Sequence, residues 1–363
     1  MSISSYSDDL LIVSKDTKAV VTQLSQKYSL KGFSFPNYYF GGDYNQTKNT
    51  QGKKVSNLSA KTFVKNVCEK VESTFDINIK PSNVPFDPNY HPEIDETPLL
   101  NGNDVSKYRM LIGSALWGTV LGRHDILYAT CTLARYNAIP RQGHSNAASK
   151  LFGYLKNNPK TCTIFDTRDA DISQNMGVQH NWNELYPGAK EELPPDLPVP
   201  KMKPITILAH FDASHAPCLI TRRSVTGIVI QLNRTIIRCT SKRQNTVETS
   251  TYGAEMVAAR LCVEQIMDLR YKLRMLGVPI NDASVMLGDN QSTITSCTIP
   301  SSNLKKKHNA IAYHRVRESV AAGIVKLFYV ASNKNLADTM TKPLNGNKLR
   351  ELWKEYLFQS PHA

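Results

Sequence analysis

The stretch Val247–Glu264, VETSTYGAEMVAARLCVE, decides the fold because it predicts a long helix that carries one carboxylate, Glu255, on its apolar side. An isolated acid in such surroundings is energetically costly, so it calls for a compensating charge. Three further acids follow apolar runs: Asp212 closes ITILAHFD, Asp289 closes SVMLGD and Asp338 lies in NLADTMTKPL. Four carboxylates that converge at strand ends and helix starts are what a site for two hard divalent cations requires.

Length and composition set the broad class. A chain of 363 residues with 41% hydrophobic residues has room for two or three globular domains. No apolar run approaches ~18 residues, and no charged-then-apolar leader opens the chain, so we expect no membrane span and no signal peptide. The expected location is intracellular, cytoplasmic or nuclear, and not secreted. Seven cysteines without CxxC spacing indicate neither a zinc site nor a disulfide framework.

The net charge of +13 is unevenly distributed. Residues 1–200 carry 21 Lys+Arg against 20 Asp+Glu, whereas residues 201–363 carry 23 against 11. Basic residues in the segment that also holds the four acids favour a polyanionic substrate bound through its phosphates. A solvated basic face that only keeps the protein soluble is the open alternative. Together, the acids and the basic charge indicate a metal-dependent nuclease.

The last 160 residues predict a mixed α/β layer architecture. Apolar runs separated by a turn at Asn233 predict a hairpin, and a long helix that reaches Met275 follows it. The predicted strands span 204–213, 224–232, 234–241, 284–288 and 324–332, and the later helical segments span 310–323 and 336–358.

The first 200 residues give weaker signals. The run YSDDLLIVS (6–14) predicts a strand–turn–strand hairpin with both aspartates at the turn. Helical periodicity follows over 18–28 and 60–75, and residues 105–158 predict two or three packed helices that serve the core. Proline-rich sequence places a domain boundary near Pro194–Lys203.

Seven motifs together give a specific resemblance. The chain resembles the C-terminal part of copia-type retrotransposon polyproteins: the rear of the reverse transcriptase, its connection and the ribonuclease H domain. The motifs occur in family order and are YSDD (6–9), YRMLIGSALW (108–117), TRRSVTG (221–227), SKRQNTVETSTYGAE (241–255), GDNQSTI (288–294), KHNAIAYHRVRE (307–318) and LADTMTKPL (336–344).

The resemblance implies a fold and a domain order. The expected fold is α/β, a ribonuclease H-like mixed sheet with flanking helices, preceded by a partial palm hairpin and a helical thumb and connection region. The predicted segments are a truncated palm remnant (1–50), a thumb and linker region (51–104), a helical connection (105–165), a Pro-rich linker (166–203) and the ribonuclease H-like domain (204–363).

The resemblance also implies an activity, two-metal-ion hydrolysis of the RNA strand of RNA–DNA hybrids. Two Mg²⁺ ions, or Mn²⁺ in their place, would be held by the catalytic acids Asp212, Glu255, Asp289 and Asp338. Mutual repulsion of these acids should raise the pKa of one or more of them. His308 and His314 match family positions and are candidate proton shuttles. His210 shares a strand face with Asp212 but is expected to lie at the rim without a chemical role.

Basic and hydroxyl-bearing residues supply the expected nucleic-acid contacts. Recognition of an RNA strand requires contacts to 2′ hydroxyl groups, and phosphate contacts would make binding salt-dependent. The candidate residues are Arg222, Arg223, Ser241, Lys242, Arg243, Gln244, Asn290, Gln291, Ser292, Lys305, Lys306 and Lys307.

Asp8 and Asp9 resemble the metal pair of a reverse transcriptase palm. That activity also needs an upstream aspartate and a fingers region, so we expect a remnant pair and no DNA synthesis by this chain alone. The missing upstream segment is then a candidate partner. Two alternatives to the nuclease stay open: a fragment of an RNA-directed DNA polymerase that is inactive alone, and a catalytically dead nucleic-acid-binding remnant.

Overall fold

The computed structural model describes residues 2–6, 8–48, 52–170, 172, 180–304 and 307–357. The strands in this part of the chain are β1 (Ser2–Tyr6), β2 (Asp9–Val13), β3 (Tyr38–Tyr39), β4 (Gly42–Lys48), β5 (Lys54–Ser59), β6 (Cys162–Phe165), β7 (Ile207–Ser214), β8 (Val225–Leu232), β9 (Thr235–Arg243), β10 (Ser284–Gly288) and β11 (Val325–Tyr329). The helices are α1 (Thr17–Ser25), α2 (Lys61–Phe75), α3 (Gly102–Val120), α4 (Leu127–Ala134), α5 (Gln142–Asn157), α6 (Thr251–Met275), α7 (Gln291–Thr298), α8 (Ala310–Ala321), α9 (Asp338–Thr341) and α10 (Gly346–Trp353).

A five-stranded sheet with the order β11-β10-β7-β8-β9 forms the C-terminal half of the molecule. Strands β7, β8 and β9 are antiparallel neighbours, because a short turn with Asn233 at a positive φ of 53° joins β8 to β9. Strands β10 and β11 run parallel to β7, and helical crossovers connect them as parallel pairing requires. This mixed sheet with flanking helices confirms the predicted ribonuclease H-like α/β fold class.

Helix α6 packs one long face against this sheet. The Ser250 side chain caps the helix by accepting a hydrogen bond from the backbone N–H of Gly253. Small and aliphatic residues, among them Ala258, Ala259 and Ile266, are fully buried against the apolar residues of β7 and β8. The predicted long helix is therefore confirmed, and Glu255 lies in its second turn.

The first 165 residues combine a hairpin, a second sheet and a helical core. Strands β1 and β2 pair with Tyr6 opposite Asp9, which confirms the predicted strand–turn–strand hairpin. A four-stranded antiparallel sheet has the order β3-β4-β5-β6. Helices α3, α4 and α5 pack around Tyr108, Leu133 and Phe152, as the helical periodicity predicted. Strand β6 was not predicted, because four residues carry too little periodicity.

The boundaries of the five predicted segments stay predictions, but two sets of contacts cross them. The sheet β3-β4-β5-β6 joins strands from three of the predicted segments. In the predicted Pro-rich linker, Glu191 forms ion pairs with Arg270 and Arg274 of α6. The described part of that linker thus packs against the C-terminal half.

None of the helices in the described ranges combines the length and the apolar character that crossing a membrane requires.

Candidate metal centre

Three of the four predicted acids converge at one edge of the five-stranded sheet. Asp212 lies near the end of the central strand β7, Glu255 on α6, and Asp289 directly after β10. Each offers a carboxylate oxygen, and these three oxygens lie within 4.8 Å of one another. Parallel strands β7 and β10 bring Asp212 and Asp289 to the same edge, because their carboxyl ends point the same way.

Glu255 and Asp212 are both almost fully buried, at 4% exposure each. The backbone N–H of Ala213 donates to Glu255 Oε1 at 3.2 Å, whereas Oε2 has no donor partner among the described residues. Burial, followed by the charges of Asp212 and Asp289, raises the pKa of Glu255 well above its usual value. A buried carboxylate oxygen without a donor is what a bound cation would satisfy.

Burial also raises the pKa of Asp212 to about 6, with smaller contributions from Asp338 and Asp289. A hydrogen bond from the Thr341 hydroxyl opposes this shift. The raised pKa values were predicted from mutual repulsion alone. The larger cause is the removal of the carboxylates from water.

Asp289 is positioned by a close approach of two strands. Gly288 ends β10 against the ring of Phe211, and a Cβ at this position would lie 2.4 Å from the ring. Asn290 then caps α7 by accepting a hydrogen bond from the backbone N–H of Thr293 at 3.0 Å. Asp289 is held half-buried between a strand end and a helix start.

The fourth acid, Asp338, begins the short helix α9 and is fully buried. Its Oδ1 lies 2.7 Å from Nζ of Lys342, and its Oδ2 lies 3.1 Å from Nζ of Lys348. Asp338 stands close enough to raise the pKa of Asp212, yet it is not one of the three acids that share a 4.8 Å group. The structure therefore brings all four acids to one region, and three of them have carboxylate oxygens within 4.8 Å of one another.

The donor set fits a hard divalent cation. Carboxylate oxygens from three separate elements match the oxygen ligands that Mg²⁺ and Mn²⁺ take, and Glu255 also keeps one oxygen without a donor partner among the described residues.

The histidines take other places than the sequence predicted. His210 is buried rather than at the rim, and burial lowers its pKa to about 4. Among the described residues, His308 pairs with Glu248 at 3.3 Å and His314 hydrogen-bonds Tyr186 at 2.8 Å. These partners lie outside the acid cluster, so the proton-shuttle role of His308 and His314 stays a prediction without a supporting contact.

The predicted nucleic-acid contacts divide by exposure. Exposed side chains are Arg222, Lys242, Gln291, Ser292 and Lys307, and half-buried ones are Arg223, Arg243 and Asn290. Ser241 is buried, and the Gln244 amide donates to Thr226 Oγ1 and to the carbonyl of Ala254, both at 2.9 Å. These internal bonds argue against the sugar contact predicted for Gln244. Lys305 and Lys306 lie outside the described residues.

The predicted polymerase pair lies at the tip of the first hairpin. Asp8 is in the turn, Asp9 opens β2, and both are exposed. Their role as a remnant metal pair stays a prediction.

Sequence reasoning missed the residues that surround the acids. Thr341 and Lys342 lie three and four positions after Asp338 within LADTMTKPL. This helical spacing indicates that their side chains share a face with Asp338. Lys348 reaches Asp338 across the start of α10, and no local pattern reveals that contact.

Comparison with known proteins gives homologues along nearly the whole chain, while no family model matches it. The chain is 24% identical over 346 residues to a retrovirus-related Pol polyprotein from transposon RE1 of Arabidopsis thaliana, covering 94% of the chain and 20% of that protein. It is 25% identical over 357 residues to the Pol polyprotein from transposon TNT 1-94 of Nicotiana tabacum, covering 96% of the chain and 24% of that protein. The Ty1-DR1 Gag-Pol polyprotein of Saccharomyces cerevisiae is 25% identical over 362 residues, covering 95% of the chain and 18% of that protein.

These matches confirm the resemblance to copia-type retrotransposon polyproteins, and the chain spans about a fifth of their length. Among solved structures, ribonuclease H1 of Halobacterium salinarum is 17% identical, with a TM-score of 0.30, and the match covers 38% of this chain and 94% of that one. LC11-RNase H1 in complex with an RNA/DNA hybrid is 13% identical, with a TM-score of 0.31 and the same two coverages. At these TM-scores the likeness decides neither activity nor substrate.

Proposed function

We propose that this chain hydrolyses the RNA strand of RNA–DNA hybrids at a divalent-metal site built from Asp212, Glu255 and Asp289, with Asp338 as the acid of a second cation. One observation carries the proposal: the three carboxylates come from β7, α6 and the end of β10 and meet within 4.8 Å. The homology to retrotransposon Pol polyproteins supports it.

Bound Mg²⁺ or Mn²⁺ would supply Lewis-acid chemistry to an attacking water and to the leaving 3′ oxygen. The residues of the chain would hold the metal ions and orient the carboxylates that bind them. The backbone N–H of Ala213 fixes one oxygen of Glu255, and the other has no donor partner among the described residues. The hydroxyl of Thr341 fixes Asp212 in the same way.

Substrate binding follows from charge and from exposed polar groups. Arg222, Lys242 and Lys307 are exposed cations that can contact phosphates. Gln291 and Ser292 are exposed within three residues of Asp289, and their amide and hydroxyl groups supply donors and acceptors that a sugar 2′ hydroxyl could use. Such binding is expected to weaken steeply as salt is raised.

We also propose a protein partner for the N-terminal segment, the upstream reverse transcriptase part of a longer polyprotein. The hairpin β1–β2 is a separate two-stranded sheet, and helix α1 has no buried residue among those described. Apolar side chains there are exposed, including Val13 at 65% and Phe35 at 66%. An isolated hairpin is marginally stable, so a covering surface is needed.

The test is a gel assay with a 5′-labelled RNA strand annealed to DNA, with Mg²⁺, with Mn²⁺ and with chelator. Cleavage of the hybrid but not of the DNA duplex, only with divalent metal, is the expected result. Asp289→Asn should abolish cleavage and retain hybrid binding, while Asp282→Asn, an exposed acid before β10, should behave as wild type. If the wild-type chain binds hybrid but cleaves nothing in either metal, the catalytically dead alternative replaces this proposal.

A further inference from the structure

Asp338 differs from the other three acids because it forms two ion pairs, although only Oδ2 accepts a hydrogen bond, from Lys348, and Oδ1 has none among the described residues. Its side chain is fully buried, and each of its two oxygens lies against the ammonium group of a different lysine, Lys342 or Lys348. The two lysine side chains are 43% and 33% exposed, so each reaches the buried carboxylate from solvent.

Among the described residues, the three converging acids form no ion pair within 4 Å, whereas Asp338 forms two. Glu255 Oε2 has no donor among the described residues, and Asp212 accepts one hydroxyl hydrogen bond, from Thr341. A first divalent cation therefore meets unbalanced oxygens at Asp212, Glu255 and Asp289. A second cation at Asp338 meets two ammonium groups, which lie 2.7 Å from Oδ1 and 3.1 Å from Oδ2.

We infer that Lys342 and Lys348 regulate how many divalent cations the site holds. One cation binds firmly at Asp212, Glu255 and Asp289, and a second binds only by displacing the two ammonium groups from Asp338. The inference rests on the metal site of the proposed function and adds to it an unequal, two-step loading that the lysines control.

The chemistry of lysine suits this role. An ammonium group is a compact point charge on a flexible four-carbon stem, so it can balance a buried carboxylate and can also swing back to water. Removal of both lysines would leave Asp338 as a buried, unpaired charge, which is strongly unfavourable until a cation replaces them. The same substitution should therefore create a firm second cation site.

The test counts bound Mn²⁺ on the full chain without nucleic acid, by calorimetry and by electron paramagnetic resonance. Wild type should take one ion firmly and a second at least about tenfold more weakly. Lys342→Met/Lys348→Met should take two ions, with the second tightened about tenfold or more. Lys342→Arg keeps the charge and should resemble wild type, as should Lys326→Met, which changes an exposed lysine on β11.

Lys342→Met alone should tighten the second ion by a smaller factor, and it decides the question if the double variant fails to fold. Two ions of similar affinity on wild type, or an unchanged second ion in the lysine variants, would overturn the inference alone. If wild type binds no Mn²⁺ at all, the metal site of the proposed function fails as well. If the ions bind as expected but no hybrid is cleaved, the proposed function fails and the inference stands.

Discussion

The hydroxyl of Thr341 donates a hydrogen bond to Oδ2 of Asp212, which ties the short helix α9 to the central strand of the sheet across 129 positions of sequence. The same hydroxyl lies 3.2 Å from the backbone carbonyl of Asp338. Thr341 is fully buried, so water cannot replace either partner. The carboxylate of Asp212 and the start of α9 are thus positioned by one side chain.

Thr341→Val keeps the shape of the side chain and removes its hydroxyl. The buried carboxylate of Asp212 then loses its donor, so the unfolding free energy should fall by about 1–3 kcal/mol in metal-free buffer. Denaturant unfolding measures this change. Thr341→Ser retains the hydroxyl and should lose less than Thr341→Val; equal losses would mean that packing, not the hydrogen bond, is responsible.

The raised pKa of Asp212 predicts a definite dependence of stability on pH. Because the pKa is about 6 in the folded chain and 3.8 ordinarily, the folded state binds the proton more tightly between these values. Without divalent metal, the unfolding free energy should therefore fall as pH rises from about 4 to about 6. Above pH 6 the destabilisation by the ionised, buried Asp212 is fully present.

Asp212→Asn removes this titration. At pH 7.5 without divalent metal, the variant should be more stable than wild type, by up to about 3 kcal/mol. Near pH 4 the two proteins should converge. Urea unfolding at several pH values tests the difference, and an advantage of equal size at pH 4 and pH 7.5 would contradict it.

Divalent metal should stabilise the fold, because it neutralises oxygens that repel one another in its absence. At ~100 times its dissociation constant, Mg²⁺ should add about 2.7 kcal/mol to the unfolding free energy. Melting curves with chelator and with Mg²⁺ measure the shift. Asp289→Asn should reduce the shift and Asp282→Asn should preserve it. A wild-type melting temperature that does not change with millimolar Mg²⁺ would count against the metal site.

The sequence predicted that four acids converge, and the three that share the 4.8 Å group each carry a local signal. Asp212 and Asp289 end apolar runs, and Glu255 interrupts the apolar face of a helix. The lysine pair on Asp338 and the bond between Thr341 and Asp212 depend on how α9 and α10 pack, which periodicity does not encode.

Gln244 shows the opposite error. It follows two basic residues in SKRQ and therefore resembles a surface contact, yet it lies just past the end of β9, where its amide turns inward to bond Thr226 and Ala254. Polar sequence context predicted a sugar contact, whereas two tertiary hydrogen bonds engage the amide within the fold.

Gly227 on β8 allows α9 to approach the sheet. A Cβ at this position would lie 2.6 Å from the carbonyl oxygen of Ala337 and 2.6 Å from Cγ2 of Thr341. Gly227→Ala should therefore displace α9, with a loss of about 1–3 kcal/mol of stability and weaker metal binding. Gly113→Ala is the control, since nothing lies within 4 Å of its added Cβ in helix α3, and it should stabilise the chain slightly.

Glu191 tests whether the segment before the sheet is a free linker. Its carboxylate accepts hydrogen bonds from Arg270 and Arg274 of α6, and Arg270 is itself only 3% exposed. Burial opposes ionisation of Glu191, but the two guanidinium groups outweigh it and lower its pKa to about 2. The stabilising contribution should therefore be complete above pH 4.5, the ordinary value, and be lost as pH falls through about 2.

Glu191→Gln leaves the buried guanidinium of Arg270 without its counter-charge, so the unfolding free energy at pH 7 should fall by about 2–4 kcal/mol. The difference in unfolding free energy should be smaller when unfolding is measured at pH 3, because protonation of Glu191 then weakens the ion pairs in the wild-type protein as well. Glu192→Gln changes the exposed neighbouring acid and should leave stability unaltered at both pH values. If Glu191→Gln is equally neutral at pH 7, the ion pairs of Glu191 do not stabilise the packing of this segment against α6.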